Sequence, residues 1–409
     1  MRTDVLVVGA GISGLTCASR LTEAGLRVIV QESRERVGGR IRTFRPADGG
    51  PALELGAQVV HGVRNPVHTL MGSDRMETVP RDVAARVVED GALAEMAVLA
   101  RGRRGPWALE AELNAAEGDA DVSVGDWLRS RGADGAEGRA VREWYRQNWA
   151  VEPDALSARA VARAHRGDDV GGGEFAVSGG FDRLPAQLAR SLEVRLGCPV
   201  DELDWSKGRV RARTAQGELH AGAAVVAVPP QVVVNGRLRI GGLPAAKWQA
   251  AKDLPAGDGY CAVVTLSAPA PESAVVFDVD GLGGFARSRA GRQEVLIVAK
   301  AGAAAAVRSA VRGGGGPAAL LARSMPWTRS ARVVAAEEAD WGNDPWSGGA
   351  FTAPGTGARD ASDLWAEPVE DTLFFAGEAT VCGRRLPWVQ GAIASGERAA
   401  AQILSGVAR

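Results

Sequence analysis

The stretch TDVLVVGAGISGLTCASRLTEAGLRVIVQES, residues 3–33, contains the pattern that decides the fold. It opens with the apolar, β-branched run DVLVV, which predicts a short buried strand. Gly9, Gly11 and Gly14 follow in the spacing GxGxxG, and apolar residues then recur at helical spacing. A second apolar run, LRVIV, predicts another strand, and Glu32 comes just after it. This order of strand, glycine turn, helix, strand and acid predicts an α/β fold that binds a dinucleotide.

Each part of this unit has a physical role in holding a dinucleotide. Gly9 permits the tight turn, Gly11 lets the backbone approach a pyrophosphate, and Gly14 lets the helix pack closely on the strand. The amino end of the helix presents free backbone N–H groups to the phosphates. Glu32 is placed to accept hydrogen bonds from ribose hydroxyls, which favours FAD or NAD. The predicted cofactor contacts of this unit are Gly9, Gly11, Ile12, Ser13, Gly14 and Glu32.

Composition excludes several other classes of function. The 409 residues include 48 Lys and Arg against 49 Asp and Glu, so a net charge of −1 provides no general attraction for nucleic acid or an anionic membrane. The four cysteines and four histidines are scattered without metal-ligand spacing, so we expect no metal site. No signal peptide precedes the first strand, and no apolar run reaches the ~20 residues of a membrane helix. We therefore expect a cytoplasmic protein.

A second glycine pair follows the acid in ESRERVGGRIRT, residues 32–43. This segment resembles the second fingerprint of the flavin-containing amine oxidase family, in which a GGR turn brings backbone amides and an arginine against the cofactor phosphates. NAD dehydrogenases as a rule lack this segment, so the resemblance implies FAD as the cofactor. The positions that match the family's cofactor contacts are Ser33, Arg34, Gly39, Arg40 and Ile41.

Four more stretches resemble the same family, in the same order along the chain. LELGAQVVHGVRNPV resembles the segment beside the flavin ring, and Val200 in CPVDELDW resembles the valine that covers the adenine. AAVVAVPP, which contains Pro229, ends a buried strand, and LFFAGEAT followed by VQGAIASGERAAAQIL resembles the C-terminal FAD motif. Small residues there would let the positive end of a helix approach the flavin. The implied contacts are Gly56, Ala57, Gln58, Val59, Val200, Pro229, Gly377, Glu378, Val389 and Ala392.

The resemblance implies an α/β fold with a Rossmann-type FAD-binding domain of the GR2 class and an inserted substrate domain of mixed sheet and helices. We expect the FAD-binding domain to be discontinuous, over residues 1–75, 181–255 and 360–409. The helical part of the substrate domain is expected at 76–180, and its sheet part at 256–359.

The segment WGNDPWSGGAF, residues 341–351, resembles the loop beneath the flavin ring in this family. Trp341 matches the aromatic residue that lies along the ring. Phe351 and Trp388 match the two aromatic walls of the slot that orients the amine. Ala350 stands where monoamine oxidases with covalent flavin have a cysteine. Because alanine has no group that bonds to the ring, the resemblance implies non-covalent FAD.

Two polar positions are candidates for the chemistry near the amine. His61, in VHGVRNP, matches a histidine near the substrate amine of animal polyamine oxidases, where it could accept a proton or a hydrogen bond. Strand register places the family's water-holding lysine near Arg289, whereas Lys300 is expected at the other end of that strand. Because arginine does not titrate near neutral pH, Arg289 would either hold the water or alter the reactivity with oxygen.

The resemblance implies oxidation of a small-molecule amine. A hydride passes from the carbon next to nitrogen to flavin N5, the imine hydrolyses to an aldehyde or ketone, and oxygen reoxidises the flavin with formation of H2O2. Because Gln58 and Val59 stand where L-amino-acid oxidases have a carboxylate-binding arginine, we expect a polyamine-like or specialised amine without an α-carboxylate. Two alternatives remain open: a desaturase or dehydrogenase with low oxygen reactivity, and a flavin-binding protein without turnover. Demethylation of chromatin is not expected, and no oligomeric state is indicated.

Overall fold

The glycine-rich unit at the start of the chain forms a strand, a helix and a second strand. The structure is a computed structural model, which describes residues 2–79, 84–96, 106–116, 121–133, 135–278, 284–313, 316–358 and 361–407. Numbered in chain order, the first elements are β1 (Arg2–Val8), α1 (Ile12–Glu23) and β2 (Val28–Gln31). β1 and β2 are parallel neighbours, and α1 buries Leu15, Ala18 and Leu21 against them. The apolar spacing in the sequence therefore produces the predicted dinucleotide-binding unit.

These two strands lie in an eight-stranded sheet that is built from distant parts of the chain. The other members are β10 (Glu193–Arg195), β11 (Val200–Ser206), β12 (Arg209–Thr214), β13 (Gly217–Val226), β14 (Arg239–Ile240) and β20 (Leu373–Phe375). The order is β10-β2-β1-β13-β12-β11-β14, and β20 pairs with β13. β10, β2, β1, β13 and β20 run parallel. Ligands bind such sheets at the carboxyl ends of the parallel strands.

Helices cover both faces of this sheet. On one face, α1 packs beside the C-terminal helix α13 (Val389–Val407), and a Cβ atom at Gly396 would lie 2.4 Å from the backbone oxygen of Ser13. The two helices can therefore approach this closely only because position 396 is a glycine. The other face buries residues of three helices: α8 (Pro230–Val234), α9 (Ala245–Lys252) and α12 (Ala361–Ala366).

A second sheet has seven strands. They are β7 (Ala84–Glu89), β8 (Ala92–Glu95), β15 (Gly259–Leu266), β16 (Ala274–Asp278), β17 (Gly284–Ser288), β18 (Glu294–Lys300) and β19 (Val333–Asp340). Their order is β19-β15-β18-β17-β16-β7-β8, and all neighbours are antiparallel except β16 and β7. One face packs against α10 (Gly302–Arg312) and α11 (Gly316–Ser324). The opposite face of this sheet lines the cavity described below.

The remaining described helices and strands belong to neither of the two main sheets. Four helices share one apolar cluster: α3 (Pro106–Ala115), α4 (Val124–Ser130), α5 (Gly135–Trp149) and α6 (Ala158–Gly167). The others are α2 (Pro66–Met71), α7 (Arg183–Ala189), β3 (Thr43–Phe44), β4 (Leu53–Glu54), β5 (Val60–His61), β6 (Met76–Thr78) and β9 (Glu174–Val177). β3 pairs with β4, and β9 lies between β5 and β6.

Residues 76–180 differ from the helical interpretation of the sequence, because they also contain β6, β7, β8 and β9. β7 and β8 form a hairpin that extends the seven-stranded sheet. Asp90 and Gly91 at its turn have φ values of 48° and 74°, the conformation that an Asp-Gly turn joining two strands requires. This dipeptide was the sequence signal for the hairpin. The domain limits derived from the sequence stay a prediction.

Two further observations concern the part of the chain that the structure describes. No helix there is long and apolar enough to cross a membrane. In the same residues, no group of three or more His, Cys, Asp or Glu side chains is arranged to hold a metal ion.

Candidate active site

A cavity of about 630 Å³ is lined by residues from both main sheets. Its lining includes every predicted cofactor contact except Gly14, together with His61, Phe351 and Trp388. We call the part beside the eight-stranded sheet and α13 the cofactor arm, and the part beside the seven-stranded sheet and α5 the substrate arm. The predicted contacts on the lining are Gly9, Gly11, Ile12, Ser13, Glu32, Ser33, Arg34, Gly39, Arg40, Ile41, Gly56, Ala57, Gln58, Val59, Val200, Pro229, Trp341, Gly377, Glu378, Val389 and Ala392.

The three fingerprint glycines have different surroundings. Gly9 has a φ of 105°, which glycine adopts readily and other residues rarely. A Cβ atom at Gly14 would lie 2.1 Å from the backbone oxygen of Gly9, so this residue serves helix–strand packing and does not line the cavity. A Cβ atom at Gly11 would meet no protein atom within 4 Å. Gly11 therefore faces the open space of the cofactor arm, where a pyrophosphate requires close backbone approach.

At the end of β2, two adjacent polar side chains line the cofactor arm. The carboxylate of Glu32 is 3% exposed and accepts hydrogen bonds from the backbone N–H groups of Ala10, at 2.7 Å, and Arg34, at 2.9 Å. Gln31 is buried as well, and neither its amide oxygen nor its amide nitrogen has a hydrogen-bond partner among the described residues. Buried polar atoms are rarely left unpaired. These side chains therefore fit a polar ligand such as a dinucleotide.

Arg40 and Glu378 link the second fingerprint to the C-terminal motif. The Arg40 guanidinium donates to Glu378 Oε1 at 2.9 Å and to the Ala350 carbonyl oxygen at 3.0 Å. Glu378, 5% exposed, also accepts from the Thr352 hydroxyl at 2.8 Å. A buried carboxylate that is paired and hydrogen-bonded in this way holds three segments together. Sequence motifs that are far apart in the chain therefore meet on the lining of the cofactor arm.

The loop that contains the two tryptophans and the glycine pair runs along the cavity. Trp341 is 4% exposed, and its indole N–H donates to the Leu55 carbonyl oxygen at 2.8 Å. Gly349 has a φ of 147°, and a Cβ atom there would lie 2.3 Å from the Cβ of Ala256. The loop can pass this neighbour only with glycine. This passage places Ala350 and Phe351 on the cavity lining.

Where the two arms meet, the cavity is lined by His61, Phe351 and Trp388, and we call this region the slot. Trp388 directly precedes α13, and its carbonyl oxygen accepts a hydrogen bond from Ala392 N–H at 3.2 Å, so the helix start fixes its position. The His61 ring stacks on Trp388 with the ring centres 3.9 Å apart. Burial, assisted by the nearby Lys300 charge, lowers the pKa of His61 to about 4. His61 is therefore neutral near pH 7, although Glu174 Oε1 lies 3.8 Å from its Nδ1.

Lys300 lies at the same slot. Its ammonium group is 5.1 Å from the centre of the Phe351 ring and donates a hydrogen bond to the backbone oxygen of Gln147 on α5. Burial lowers the pKa of Lys300 to about 8, against the opposing effects of Cys261 and Glu143. A lysine with such a pKa changes its protonation state near physiological pH, which an arginine does not.

The structure does not bring Arg289 to the cavity lining, and its predicted role stays a prediction. Arg289 follows the end of β17, in the turn that leads to β18, and it is absent from the cavity lining. β17 and β18 are antiparallel with Arg287 opposite Leu296, which places the turn at the end of β18 remote from Lys300. The sequence interpretation placed the turn end of this hairpin at the cofactor. The opposite end, with Lys300, lies there.

Several lining residues of the substrate arm were missed by the sequence analysis. They come from α5, β9 and the seven-stranded sheet, and each is a single side chain without a motif around it. Lys300 had a usable signal, because it is one of four lysines in the chain and ends the apolar strand EVLIVAK. The missed residues of the substrate arm are Trp144, Gln147, Asn148, Glu174, Tyr260, Cys261, Val275, Phe277, Phe285, Arg287 and Lys300, and Gln31 of the cofactor arm was missed as well.

A second cavity of about 530 Å³ adjoins the slot. It shares His61, Val79, Glu174 and Trp388 with the first cavity, and it is also lined by His165 and Asp168. The stacked pair of His61 and Trp388 therefore lies between this outer space and the substrate arm.

Comparison with known proteins gives concordant results. The family model for flavin containing amine oxidoreductase matches residues 12–404. The chain is 26% identical to lysine-specific histone demethylase 1 homolog 3 of Arabidopsis thaliana, in a match that covers 98% of this chain and 30% of that protein. It is 33% identical over 262 residues to AofH of Mycobacterium tuberculosis, which is named as a flavin-containing monoamine oxidase; that match covers 56% of this chain and 57% of AofH. The chain thus spans less than two thirds of the length of each of these curated relatives.

A solved structure supports the same fold. A putrescine oxidase variant with redesigned cofactor binding superposes with a TM-score of 0.82 at 21% identity, over 99% of both chains. This likeness confirms the predicted α/β architecture with a Rossmann-type sheet and an inserted substrate domain. Because the family model matches nearly the whole chain, the chain belongs to the flavin-containing amine oxidoreductase family, and its cofactor is FAD.

Proposed function

We propose that the chain is an amine oxidase that converts an amine to an imine, which hydrolyses to an aldehyde or ketone, with oxygen as the acceptor and H2O2 as the second product. The observation on which this rests is the slot where the two arms meet. It combines two aromatic walls, Phe351 and Trp388, with Lys300 and with a cofactor arm that fits FAD. When bound, FAD supplies the two-electron acceptor for the hydrogen on the carbon next to the amine nitrogen.

The residues of the slot would act mainly by position. Phe351 and Trp388 belong to separate segments, each fixed by backbone hydrogen bonds, so an amine held between them has a defined orientation. His61, with a pKa of about 4, is too weak a base for efficient proton removal at neutral pH. Its ring nitrogen can still accept a hydrogen bond from the amine. We therefore propose that His61 orients the substrate and supports Trp388 by stacking.

Lys300 takes the place that the sequence analysis gave to Arg289. We propose that it holds the water beside the flavin, as the lysine of the family does. The alternative of a desaturase or dehydrogenase with low oxygen reactivity was motivated by an arginine at this position. The presence of Lys300 on the cavity lining supports oxygen as the acceptor, and the desaturase or dehydrogenase stays the alternative that the test below separates.

FAD is proposed to be held without a covalent bond. Ala350 lines the cavity beneath the predicted ring position and has no nucleophilic group. Acid precipitation of the purified protein should release all of its flavin into the supernatant. Flavin that stays with the precipitated polypeptide would refute this proposal.

The proposed substrate is a small, polyamine-like or specialised amine. The names of the similar proteins include a monoamine oxidase, a putrescine oxidase and a histone demethylase homolog, so the substrate panel should contain monoamines, diamines and N-methylated lysine peptides.

The proposal is tested by following oxygen uptake, H2O2 and carbonyl product from one reaction mixture. One equivalent of each per amine consumed is the expected result. A Gly11→Val variant that has lost FAD serves as the control for activity of contaminants. Turnover that needs an artificial acceptor would favour the dehydrogenase alternative, and the absence of turnover with every amine would favour a flavin-binding protein.

A further inference from the structure

Arg287 lies on the wall of the substrate arm without a partner for its charge. It belongs to β17 and is on the cavity lining. Among the described residues, no hydrogen bond or ion pair involves its guanidinium, and its Nε atom is buried and unpaired. Arg287 is half-buried, and the buried Nε is unfavourable without a partner, because this donor has lost water without gaining an acceptor. An arginine in this state is poised to bind an anion.

The surroundings of Arg287 are apolar. Cross-strand pairing places it opposite Leu296 of β18 and Val275 of β16, and Phe277 and Phe285 occupy the next paired positions on the same face. The two phenylalanine rings are 5.6 Å apart at their centres. These side chains form an apolar wall that is interrupted by one cation. Such a wall fits a hydrocarbon spacer that ends in an anionic group.

None of the charged groups near Arg287 in the described part of the chain forms an ion pair with it, so its guanidinium is available to bind an anion. Burial and the neighbouring Arg289 lower its pKa, and Glu174 acts in the opposite direction. Glu174 therefore lies close enough to attract Arg287, but no ion pair joins them. Arginine remains charged even when burial lowers its pKa. The guanidinium is thus a permanent positive charge inside the substrate arm.

Arg287 is also well separated from the slot. Leu296, its partner across the strands, is four residues before Lys300 on β18, which corresponds to about 13 Å along the strand. An amine that reacts beside Phe351 and Lys300 would therefore reach Arg287 only with the far end of an elongated molecule. The register therefore favours a group at the end of the molecule opposite to the amine over an α-carboxylate.

We propose that Arg287 binds a carboxylate at the end of the substrate opposite to the oxidised amine, so that the substrate class is an amine linked by an apolar spacer to a distal carboxylate. This inference rests on the proposed amine oxidation and specifies its substrate. The planar guanidinium pairs with a carboxylate through two parallel N–H···O bonds. One guanidinium neutralises one negative charge, whereas a doubly charged phosphate would leave excess charge in an apolar wall.

A competing interpretation is a diamine or polyamine whose second ammonium binds acidic groups near the slot. Asp168 lines the outer cavity, and Glu174 lines both cavities. Asp168, however, already accepts a hydrogen bond from Gln390 at 2.9 Å, and Glu174 is more than half exposed to solvent. Arg287 would repel a second ammonium inside the substrate arm. The observations therefore favour the carboxylate, and the diamine becomes an outcome of the test.

The test compares three series of equal chain length: ω-amino acids from 4-aminobutanoate to 8-aminooctanoate, the corresponding alkylamines, and the corresponding diamines. Anaerobic flavin reduction gives the apparent Kd and the limiting rate for each compound. We expect the preferred ω-amino acid to bind about 10- to 100-fold more tightly than its alkylamine. Arg287→Gln should remove that preference with little change in the limiting rate, and Arg287→Lys should retain part of it.

A non-reactive ligand separates this inference from the proposed function. Octanoate has the carboxylate and spacer without the amine, and its binding is measured by the shift in thermal unfolding of the FAD-loaded protein. Stabilisation by octanoate in the wild-type protein, and its loss in Arg287→Gln, is expected even if no amine is oxidised. Glu174→Gln removes a negative charge that attracts Arg287, so octanoate should bind this variant at least as tightly as the wild-type protein.

Three results would overturn the inference. Diamines could be preferred and lose that preference in Glu174→Gln, or Arg287→Gln could leave every Kd unchanged. Equally, Arg287→Gln could lower the unfolding temperature without changing the affinity for any ligand, which would show that Arg287 has only a structural role. If no amine reduces the flavin but octanoate still binds through Arg287, the proposed function fails and the anion site stands.

Discussion

The cofactor arm and the substrate arm of the same cavity are built in different ways. The cofactor arm uses backbone groups and glycines from short contiguous motifs, such as Gly9 and Gly11 in the β1–α1 turn. The substrate arm uses single side chains, such as Phe285 and Lys300, that reach the cavity because two strands pair in one register. The first arm is therefore determined locally in the sequence. The second depends on which residues of distant strands lie side by side.

The largest effect should come from glycine substitutions in the cofactor arm. Gly14→Val places side-chain atoms against the Gly9 backbone, where even the Cβ atom would lie 2.1 Å from an oxygen, so the protein should fail to fold. Gly11→Val meets no protein atom near its Cβ, so this variant should fold and weaken FAD binding by about 100-fold through a clash with the cofactor. Circular dichroism and FAD titration give the two readouts. Equal behaviour of the two variants would show that Gly11 does not face the cofactor.

Lys300→Met should give the next largest effect, in the substrate arm. The variant retains an apolar side chain of similar length, so FAD affinity should stay unchanged. The reaction of the reduced protein with oxygen should slow by about 100-fold, because the titratable group beside the slot is gone. Lys207→Met, at an exposed turn of the eight-stranded sheet, is the matched control. Stopped-flow mixing of the reduced proteins with oxygen gives these rates. A wild-type rate in both variants would contradict the role of Lys300.

Trp388→Ala should have a somewhat smaller effect on the reductive step. Removing one wall of the slot leaves the amine poorly oriented, and anaerobic flavin reduction should slow by about 10- to 100-fold. FAD affinity should change little, because the start of α13 is fixed by backbone hydrogen bonds. Trp388→Phe should recover most of the rate. A parallel loss of FAD in Trp388→Ala would show that this residue is structural.

The smallest predicted effect is a pH dependence that belongs to Lys300. Burial sets its pKa at about 8, so Lys300 is charged below pH 8 and loses its proton as the pH rises through that value. The charged form repels an ammonium in the slot, and roughly 1 kcal/mol of repulsion would weaken amine binding about 5-fold below pH 8. In Lys300→Met, the ratio of the apparent Kd values measured below and above pH 8 should lack this difference of about 5-fold. An inflection that persists in Lys300→Met would assign the titration to another group.

Sequence motifs predicted the residues that the structure brings together on the cofactor arm, because their arrangement follows from local geometry. The GxGxxG spacing fixed the roles of Gly9, Gly11 and Gly14, and the structure places Gly14 at the helix–strand contact as its predicted role requires. Gln31 was missed although it is adjacent to Glu32, because a glutamine at the end of a buried strand has no distinctive pattern. The family and fold were confirmed by the comparisons.

Sequence reasoning was weaker in the substrate arm, and the error has one physical cause. Alternation along β17 and β18 shows which residues share a face, but it does not show which end of the hairpin faces the cofactor. The sequence analysis therefore chose Arg289, at the turn end, and set Lys300 aside, whereas the structure places Lys300 and not Arg289 on the cavity lining. Arg287 was missed for a similar reason, since its lack of a partner is visible only once the surrounding strands are assembled.

The most direct test of the central claim is the visible absorbance of the purified, FAD-loaded protein before and after an amine is added without oxygen. The account predicts that at least one amine bleaches the oxidised flavin absorbance, that admission of air restores it, and that Trp388→Ala bleaches more slowly with the same bound FAD. A flavin that stays fully oxidised with monoamines, diamines and ω-amino acids alike would contradict the assignment of this cavity to amine oxidation.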